Sequence, residues 1–306
     1  MKNGTCWLDT EGKLIQAHGG VIIEYQNRFY WYGENKDADT HLNRVPFLGF
    51  SCYSSKDMVN WSNEGVVLKS VNDDPEHELS STKVGERPKV VYNKMMNRFV
   101  MWFHLDDATY NYARIGIADA DVPTGPFTYR GSLRPDSQGK DSRDMTLYQD
   151  DDDSVYLFCS TNWNATTLIC QLSEDNLSLT GESKLSLIEQ YREAPVIIKE
   201  NNIYYSFTSG CTGWDPNAML YGCAREVMGT WRLIDNPCTG MNYRKTYNGQ
   251  TSNAFKVNGQ WYLMLDHWNK DDLRSSGYSF LPVHINGYEV EIPWKEEFLG
   301  IKDTTD

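Results

Sequence analysis

"AHGGVIIEYQNRFYWYGENK", residues 17–36, contains two short apolar runs separated by a polar turn. The first run is centred on Val21–Ile23 and the second on Phe29–Tyr32. The turn between them includes Asn27, and asparagine is favoured in the tight connections of antiparallel strands. The segment therefore predicts a β-hairpin that begins at the polar step His18-Gly-Gly and returns to a glutamate, Glu34.

The same pattern occurs five times along the chain. Each copy has a polar start, an apolar strand, a turn rich in Asn, Asp or Gly, and a second strand rich in aromatic residues. Self-similarity at intervals of roughly 50 to 70 residues indicates stacked, equivalent structural units. The five hairpins read "GGVIIEYQNRFYWYGEN", "ERPKVVYNKMMNRFVMWFHLD", "RDMTLYQDDDDSVYLFCSTN", "REAPVIIKENNIYYSFTSG" and "QTSNAFKVNGQWYLMLDHW".

Two further strand-like segments follow each hairpin, and no stretch shows long helical periodicity. Five units of four antiparallel strands predict an all-β fold, a five-bladed β-propeller, in a single domain over residues 1–306. A large two-sheet sandwich is the alternative, but it does not explain a polar position at the head of every unit. The predicted blades span residues 17–70, 84–133, 142–185, 191–237 and 249–295.

Composition limits the classes of function. The chain has 306 residues, 40% of them hydrophobic, which is enough for a packed core, and a formal net charge of −13. A strongly acidic protein is a poor ligand for nucleic acid or anionic membranes, so neither is expected as a partner. The 19 Tyr and 10 Trp residues supply flat apolar faces of the kind that sugars pack against. We expect a monomer.

The ends and the cysteines suggest a soluble protein without a metal centre. The first residues lack the apolar core of a signal peptide, and no stretch has the ~20 apolar residues of a membrane helix. A cytoplasmic protein, or a secreted or periplasmic one trimmed of its signal, is therefore expected. Seven scattered cysteines without a CxxC pair predict mostly buried thiols. No cofactor or metal ion is expected.

In a propeller, the first strands of the blades line the central axis, so residues at equivalent strand starts converge. The heads of the five first strands are His18, Glu86, Asp144, Glu193 and Gln250. Three carboxylates in one pocket repel one another, and at least one should hold a proton near neutral pH. One protonated and one ionised carboxyl group are what glycoside hydrolysis requires. The alternative is a polar, water-filled channel.

The second strands run back toward the heads, so their ends should ring the mouth of the same pocket. These ends carry polar groups interleaved with tryptophan, a combination suited to binding sugars. The alternative for any single tryptophan is packing between blades. The residues concerned are Glu34, His104, Asp106, Asn162, Trp163, Thr208, Thr212, Trp214, Asp266 and Trp268.

Several motifs together resemble glycoside hydrolase family 43, and more closely its branch of exo-acting β-1,3-galactanases. They extend from residue 16 to about residue 255, and they are specific as a set rather than singly. The motifs are "QAHGGVII", "YWYGENK", "ERPKVVYN", "SRDMTLYQDDD", "REAPVIIK", "SGCTGWDPN" and "GQTSNAF".

The resemblance implies an inverting enzyme that removes galactose from the non-reducing end of β-1,3-galactan, the backbone of arabinogalactan. Glu193 matches the general acid, and Asp144 matches the carboxylate that orients the substrate and tunes that acid. Most of the family has an aspartate base at the head of blade one, where this chain has His18. The base therefore stays divided between Gln250, which matches a glutamine of the galactanase branch, and Glu86.

The resemblance also implies contacts to the terminal galactose. Glu34, Tyr112 and the loop from Thr212 to Trp214 match such contacts. His18 and Gly19 form a tight backbone expected beside the sugar, and Asn162 and Thr208 lie at second-strand ends. The rival functions are an α-L-arabinofuranosidase or β-xylosidase on the same scaffold, or a galactan-binding propeller without catalysis.

Overall fold

The computed structural model describes residues 1–135 and 139–301, so residues 302–306 of the predicted domain lie outside it. Five small antiparallel sheets stand in a ring, which confirms the predicted all-β, five-bladed propeller. The helices among the described residues are two short 3-10 helices, Tyr243–Asn248 and Leu273–Ser275. Neither is long or apolar enough to cross a membrane.

The strands follow the chain from the axis outward within each blade. Blade one contains β1 His18–Tyr25, β2 Arg28–Glu34, β3 Gly49–Ser55 and β4 Ser62–Lys69. Blade two contains β5 Val84–Asn93, β6 Arg98–Asp106, β7 Arg114–Ala120 and β8 Thr128–Leu133. Blade three contains β9 Met145–Gln149, β10 Val155–Thr161, β11 Thr166–Leu172 and β12 Leu179–Ser186. Blade four contains β13 Arg192–Glu200, β14 Ile203–Gly210, β15 Leu220–Ala224 and β16 Arg232–Asp235.

The fifth sheet differs from the predicted four-stranded plan. After blade four, the short strand β17 (Cys238–Thr239) crosses to the outer edge of blade five and pairs in parallel with its last strand. This sheet therefore has five strands, although the added one is only two residues long. The other strands are β18 Gln250–Val257, β19 Gln260–His267, β20 Gly277–Asn286 and β21 Glu289–Pro293.

The hydrophobic core lies between neighbouring blades, in five clusters. Successive side chains of a strand point to opposite faces of its sheet, so one strand can supply two clusters. In β6, Phe99 and Met101 pack against blade one, whereas Val100 and Trp102 pack against blade three. Burial on both faces explains why the second strands read as nearly continuous apolar runs.

The cysteines contribute to this packing as thiols. None of the seven forms a disulfide, and Cys52, Cys159, Cys170, Cys223 and Cys238 are buried. Cys211 is exposed and Cys6 is half-buried. The expectation of mostly buried thiols therefore agrees with the structure.

The N-terminal segment closes the ring by binding the outer edge of blade five. Thr5 forms an antiparallel bridge with Tyr278, and Lys2 forms one with Glu297. Asn3 is 3% exposed, and its side chain accepts a hydrogen bond from the Phe280 N–H. Its amide donates to the carbonyls of Phe280 and Lys295, at 3.3 and 2.9 Å. One buried side chain thus holds the start of the chain to its last blade.

We expect Asn3→Ala to lower the free energy of unfolding by about 1–3 kcal/mol, because it leaves buried backbone groups without partners. Denaturant titration measures this change. Lys2→Ala, which alters an exposed neighbouring side chain, should have an effect within about 0.5 kcal/mol. Equal effects of the two substitutions would contradict the assigned role of Asn3.

Candidate active site

A β-bulge interrupts the first strand close to its head in four blades. The strand register shifts after His18, Glu86, Glu193 and Thr251. In three blades, the residue after the head has a left-handed backbone: Gly19 (φ 58°), Arg87 (φ 53°) and Ala194 (φ 51°). Bulges of this kind redirect the chain beside functional sites.

Each left-handed residue turns its N–H toward a carboxylate of the preceding blade. This repeated hydrogen bond joins neighbouring blades at the end of the ring where the heads lie. The three bonds, each 3.0 Å long, run from Gly19 to Asp266, from Arg87 to Glu34 and from Ala194 to Asp144.

The heads of blades two to five open into one pocket of about 400 Å³. The structure thus brings Glu86, Asp144, Glu193 and Gln250 together, and Glu34 and Trp214 also line the pocket. The remaining lining residues are Arg44, Arg87, His104, Tyr110, Arg143, Trp163, Asn164, Gly213 and Trp268.

The pocket floor is built on Arg87, which is only 4% exposed. Its guanidinium donates to the Gln250 Oε1 at 2.7 Å and to the Thr251 carbonyl at 2.9 Å. It also forms an ion pair with Asp144 at 3.1 Å. This buried cation compensates the negative charge of the carboxylates at the pocket, and its contacts connect blade two to blades three and five.

A second cation, Lys89, lies deeper along the axis. Its ammonium donates to the carbonyls of Gly19 and Gly20, both at 2.6 Å, and to that of Ser252 at 3.0 Å. Burial, together with the neighbouring Arg87 charge, lowers the pKa of Lys89 to about 7. The three carbonyls replace the water that this ammonium loses on burial.

The amide of Gln250 has only one possible orientation, because two neighbours can only donate. Its Oε1 accepts from Arg87 and from the Trp268 indole, at 2.7 and 2.9 Å. Its Nε2 donates to Glu193 Oε1 at 3.2 Å and to the Ser209 hydroxyl at 3.0 Å. All four hydrogen-bonding positions of the amide are therefore occupied by protein.

Glu193 is the protonated carboxyl group of the pocket. Burial raises its pKa, and the nearby negative charge of Asp144 raises it further, to about 8, against the opposing effect of Arg87. Its carboxyl group lies between Gln250 on one side and the Asn164 amide, 3.4 Å from Oε2, on the other. At neutral pH the side chain can therefore donate a proton.

Glu86, in contrast to Glu193, is the ionised carboxyl group of the pocket. Burial alone would raise its pKa, but hydrogen bonds and charge from His104, the charge of Lys36 and the Tyr110 hydroxyl lower it to about 2. His104 lies 3.2 Å from Glu86 and 2.9 Å from Asp106. Although burial opposes it, hydrogen bonding to these two carboxylates raises the pKa of His104 to about 9. Glu86 is therefore ionised across the physiological range.

The predicted sugar contact at His18 needs correction. Its side chain is fully buried, and the ring stacks on Tyr278 with centroids 4.7 Å apart. Its two nitrogens face Asp266 at 3.2 Å and the Tyr278 hydroxyl at 3.1 Å. Gly19 lies beside it, and a Cβ there would come within 2.3 Å of a Glu34 oxygen. Both residues form the wall between blades one and five and do not line the pocket.

Four further predicted contacts also lie outside the pocket lining. Thr208 is buried and accepts a hydrogen bond from Arg192. Tyr112 points outward to Glu78, and Tyr110 takes the position at the pocket. Asn162 and Thr212 are exposed beside residues that do line it. Tyr112, Asn162 and Thr212 lie one or two positions from residues that line the pocket. They belong to loops and strand ends, where sequence pattern fixes register poorly.

Sequence reasoning missed Arg87, Arg143, Tyr110, Asn164 and Arg44 as pocket residues. A signal for Arg87 existed, because it directly follows a predicted head in "GERPKV", at the position equivalent to Gly19. Buried carboxylates also require a nearby cation, and few basic residues lie close to the predicted strand heads. Nothing in the sequence marked the loop residues Arg44 and Asn164.

Among the described residues, one trio has ligand atoms close enough to hold a metal ion: Glu86, His104 and Asp144, within 4.8 Å of one another. Both His104 nitrogens already face carboxylates, and Arg87 pairs with Asp144. The positive charge that a metal would supply is thus provided by protein side chains.

Comparisons with known proteins agree with this geometry. Residues 18–281 match the family model of glycosyl hydrolases family 43. A family 43 β-1,3-galactosidase solved with galactodeoxynojirimycin is 32% identical, with a TM-score of 0.91 over 97% of this chain and 99% of that one. An exo-β-1,3-galactanase from Phanerochaete chrysosporium solved with β-1,3-galactotriose is 33% identical, with a TM-score of 0.87 over 95% and 66%.

A curated relative carries a different activity in its name. A β-D-galactofuranosidase of Aspergillus niger is 27% identical over 277 residues, which cover 85% of this chain and 73% of that protein. The similar proteins are thus glycosidases, but their named substrates differ.

We expect the Glu193 carboxyl group to titrate near pH 8. Asp144→Asn removes the adjacent negative charge and should lower that pKa by about one unit or more. Carbon-13 NMR of glutamate-labelled protein measures both values, and Glu193→Gln assigns the resonance. The matched control is Asp215→Asn, an exposed position, which should leave the titration unchanged. A Glu193 pKa below 5 in the parent would contradict the assignment.

Proposed function

The chain belongs to family 43 of the glycosyl hydrolases and is a glycoside hydrolase, and we propose that it is an inverting exo-β-1,3-galactanase. Its substrate would be β-1,3-galactan, from which it releases galactose at the non-reducing end. The observation that carries the proposal is the protonated Glu193 in one pocket with the ionised Glu86. Similar solved structures are named as a β-1,3-galactosidase and an exo-β-1,3-galactanase, which supports the choice of sugar.

In the proposed reaction, Glu193 donates its proton to the glycosidic oxygen as the bond from that oxygen to the anomeric carbon breaks. A water molecule attacks the anomeric carbon from the opposite face and gives up a proton to the Glu86 carboxylate, so the configuration inverts. Asp144 keeps Glu193 protonated through its charge. It also fixes the backbone next to Glu193 by accepting the Ala194 N–H.

Glu86 is the group we propose to orient and polarise the attacking water. It is ionised, lines the pocket and is partly exposed, with 19% of its side chain accessible. A permanent negative charge there also stabilises the positive charge that develops on the sugar ring in the transition state. Gln250 remains the second candidate for the base, but its amide is already fully engaged in holding Glu193 and Arg87.

Glu34 and Trp214 are proposed contacts of the terminal galactose. Glu34 is 4% exposed and lines the pocket, and it forms an ion pair with Lys36 at 2.7 Å. Trp214 packs edge-on against Trp268 with ring centroids 5.3 Å apart. A carboxylate for hydroxyl groups and an aromatic wall for the apolar sugar face make a site suited to one pyranose unit.

The proposal predicts galactose release from β-1,3-galactobiose, with the α-anomer appearing first. Proton NMR of the fresh reaction distinguishes the anomers before mutarotation. Aryl glycosides of β-galactopyranose, β-galactofuranose, α-arabinofuranose and β-xylose test the rival activities, and the β-galactopyranoside should be the one cleaved. Binding of galactan without any galactose release would instead support the non-catalytic alternative.

Glu193→Gln provides the control for the acid. It should lower kcat/KM on β-1,3-galactobiose by about 10²–10⁴-fold. The loss should be much smaller on β-galactosyl fluoride, whose leaving group needs little protonation. An equal loss on both substrates would argue against proton donation by Glu193.

The role of Glu86 is tested by azide rescue. Glu86→Ala should lower kcat by about 10²–10⁴-fold, and sodium azide, which attacks without giving up a proton, should restore part of it and yield α-galactosyl azide. Gln250→Ala should lose activity without rescue, because it disturbs the acid and not the attack of water. Rescue of Gln250→Ala alone would transfer the base role to Gln250.

A further inference from the structure

Trp163 presents a free aromatic face at the rim of the catalytic pocket. The residue is 65% exposed, and it lines the pocket together with the next residue of its loop, Asn164. The guanidinium of Arg143, itself only 6% exposed, packs against the ring with its central carbon 4.0 Å from the ring centroid. One face of the indole is therefore supported from below, and the other remains open to a ligand.

The backbone that presents this ring is unusual. Asn162, Trp163 and Asn164 all have positive φ, at 51°, 54° and 64°. Consecutive residues other than glycine rarely adopt this conformation, and it persists only where the surroundings enforce it. Asp141 supplies that constraint by accepting the N–H groups of Asn162 and Trp163, at 2.7 and 3.1 Å.

The position of the acid's proton indicates which sugar would meet this ring. Gln250, locked in one orientation, donates to Glu193 Oε1 at 3.2 Å, whereas Asn164 Nδ2 faces Oε2 from 3.4 Å. Oε1 is therefore the more strongly engaged acceptor, and Oε2 is the oxygen freer to carry the proton. Oε2 faces Asn164, the residue next to Trp163. The glycosidic oxygen that receives the proton, and the sugar leaving with it, should therefore lie on the side of this loop.

We propose that Trp163, supported by Arg143, is the platform for the galactose unit on the leaving-group side of the scissile bond. This inference rests on the proposed function and adds a subsite to it. The ring takes the apolar face of that sugar at the rim of the pocket. Recognition of a chain, rather than of a single galactose, then depends on this loop.

Two substrates distinguish a role of Trp163 in binding the leaving-group sugar from a role elsewhere in the pocket. β-1,3-Galactobiose has a leaving-group sugar, whereas β-galactosyl fluoride occupies only the site of the terminal galactose. Trp163→Ala should lower kcat/KM on the disaccharide by about tenfold, as loss of an aromatic contact does, and mainly by raising KM. Its kcat/KM on the fluoride should stay within about twofold of the parent, which also shows that the variant is folded.

Two further variants serve as controls. Trp163→Phe keeps an aromatic face and should retain most of the disaccharide activity. Tyr288→Ala removes a ring that is 47% exposed and lies 5.1 Å from the Arg225 guanidinium, outside the catalytic pocket. This matched change should affect neither substrate.

The outcomes are distinct. An equal loss on both substrates in Trp163→Ala would place the ring against the terminal galactose or in the support of the pocket, and would overturn the proposal. Unchanged disaccharide kinetics would overturn it as well. A parent enzyme that cleaves the fluoride but not the disaccharide would contradict the proposed galactanase function, and with it the subsite.

Discussion

The arrangement of this molecule depends on a hydrogen bond that is repeated around its axis. In three blades, a bulge turns the N–H of the residue after the head toward a carboxylate of the preceding blade. The bond holds the carboxylate in place and fixes where the head side chain points. Because two of these residues, Arg87 and Ala194, are not glycine, the left-handed backbone is strained. The bonds between the blades are what maintain it.

A ring of carboxylates would be unstable without buried positive charge. Arg87 supplies it on the side of Asp144, and His104 supplies it next to Glu86. Burial opposes the charge on Arg87, His104 and Glu86, and contact with groups of opposite charge compensates for it. Among the described residues, no cation forms an ion pair with Glu193, and it faces the charge of Asp144. One fold thus produces one protonated and one ionised carboxyl group within a single pocket.

The fold was predictable from local pattern, and the site only in part. Hairpin turns and apolar runs defined the strands, and equivalent strand starts brought Glu86, Asp144, Glu193 and Gln250 into one pocket. His18 obeys the same repeat but lies in the wall, because its neighbours Asp266 and Tyr278 satisfy both ring nitrogens. That contact joins residues about 250 positions apart, and no local pattern reports it. The parallel strand β17 was missed for a similar reason, since two residues carry no periodicity.

The fixed orientation of the Gln250 amide bears on which side chain activates the attacking water. An amide that accepts two hydrogen bonds on its oxygen cannot carry a proton there, because Arg87 and Trp268 have no lone pair to receive one. In this arrangement the imidic-acid tautomer, which would give the side chain a basic nitrogen, is therefore disfavoured. The amide is instead suited to hold Glu193 Oε1 and leave Oε2 with the proton. Water activation then falls to an ionised group across the pocket, and between about pH 2 and pH 8 Glu86 is ionised while Glu193 holds its proton.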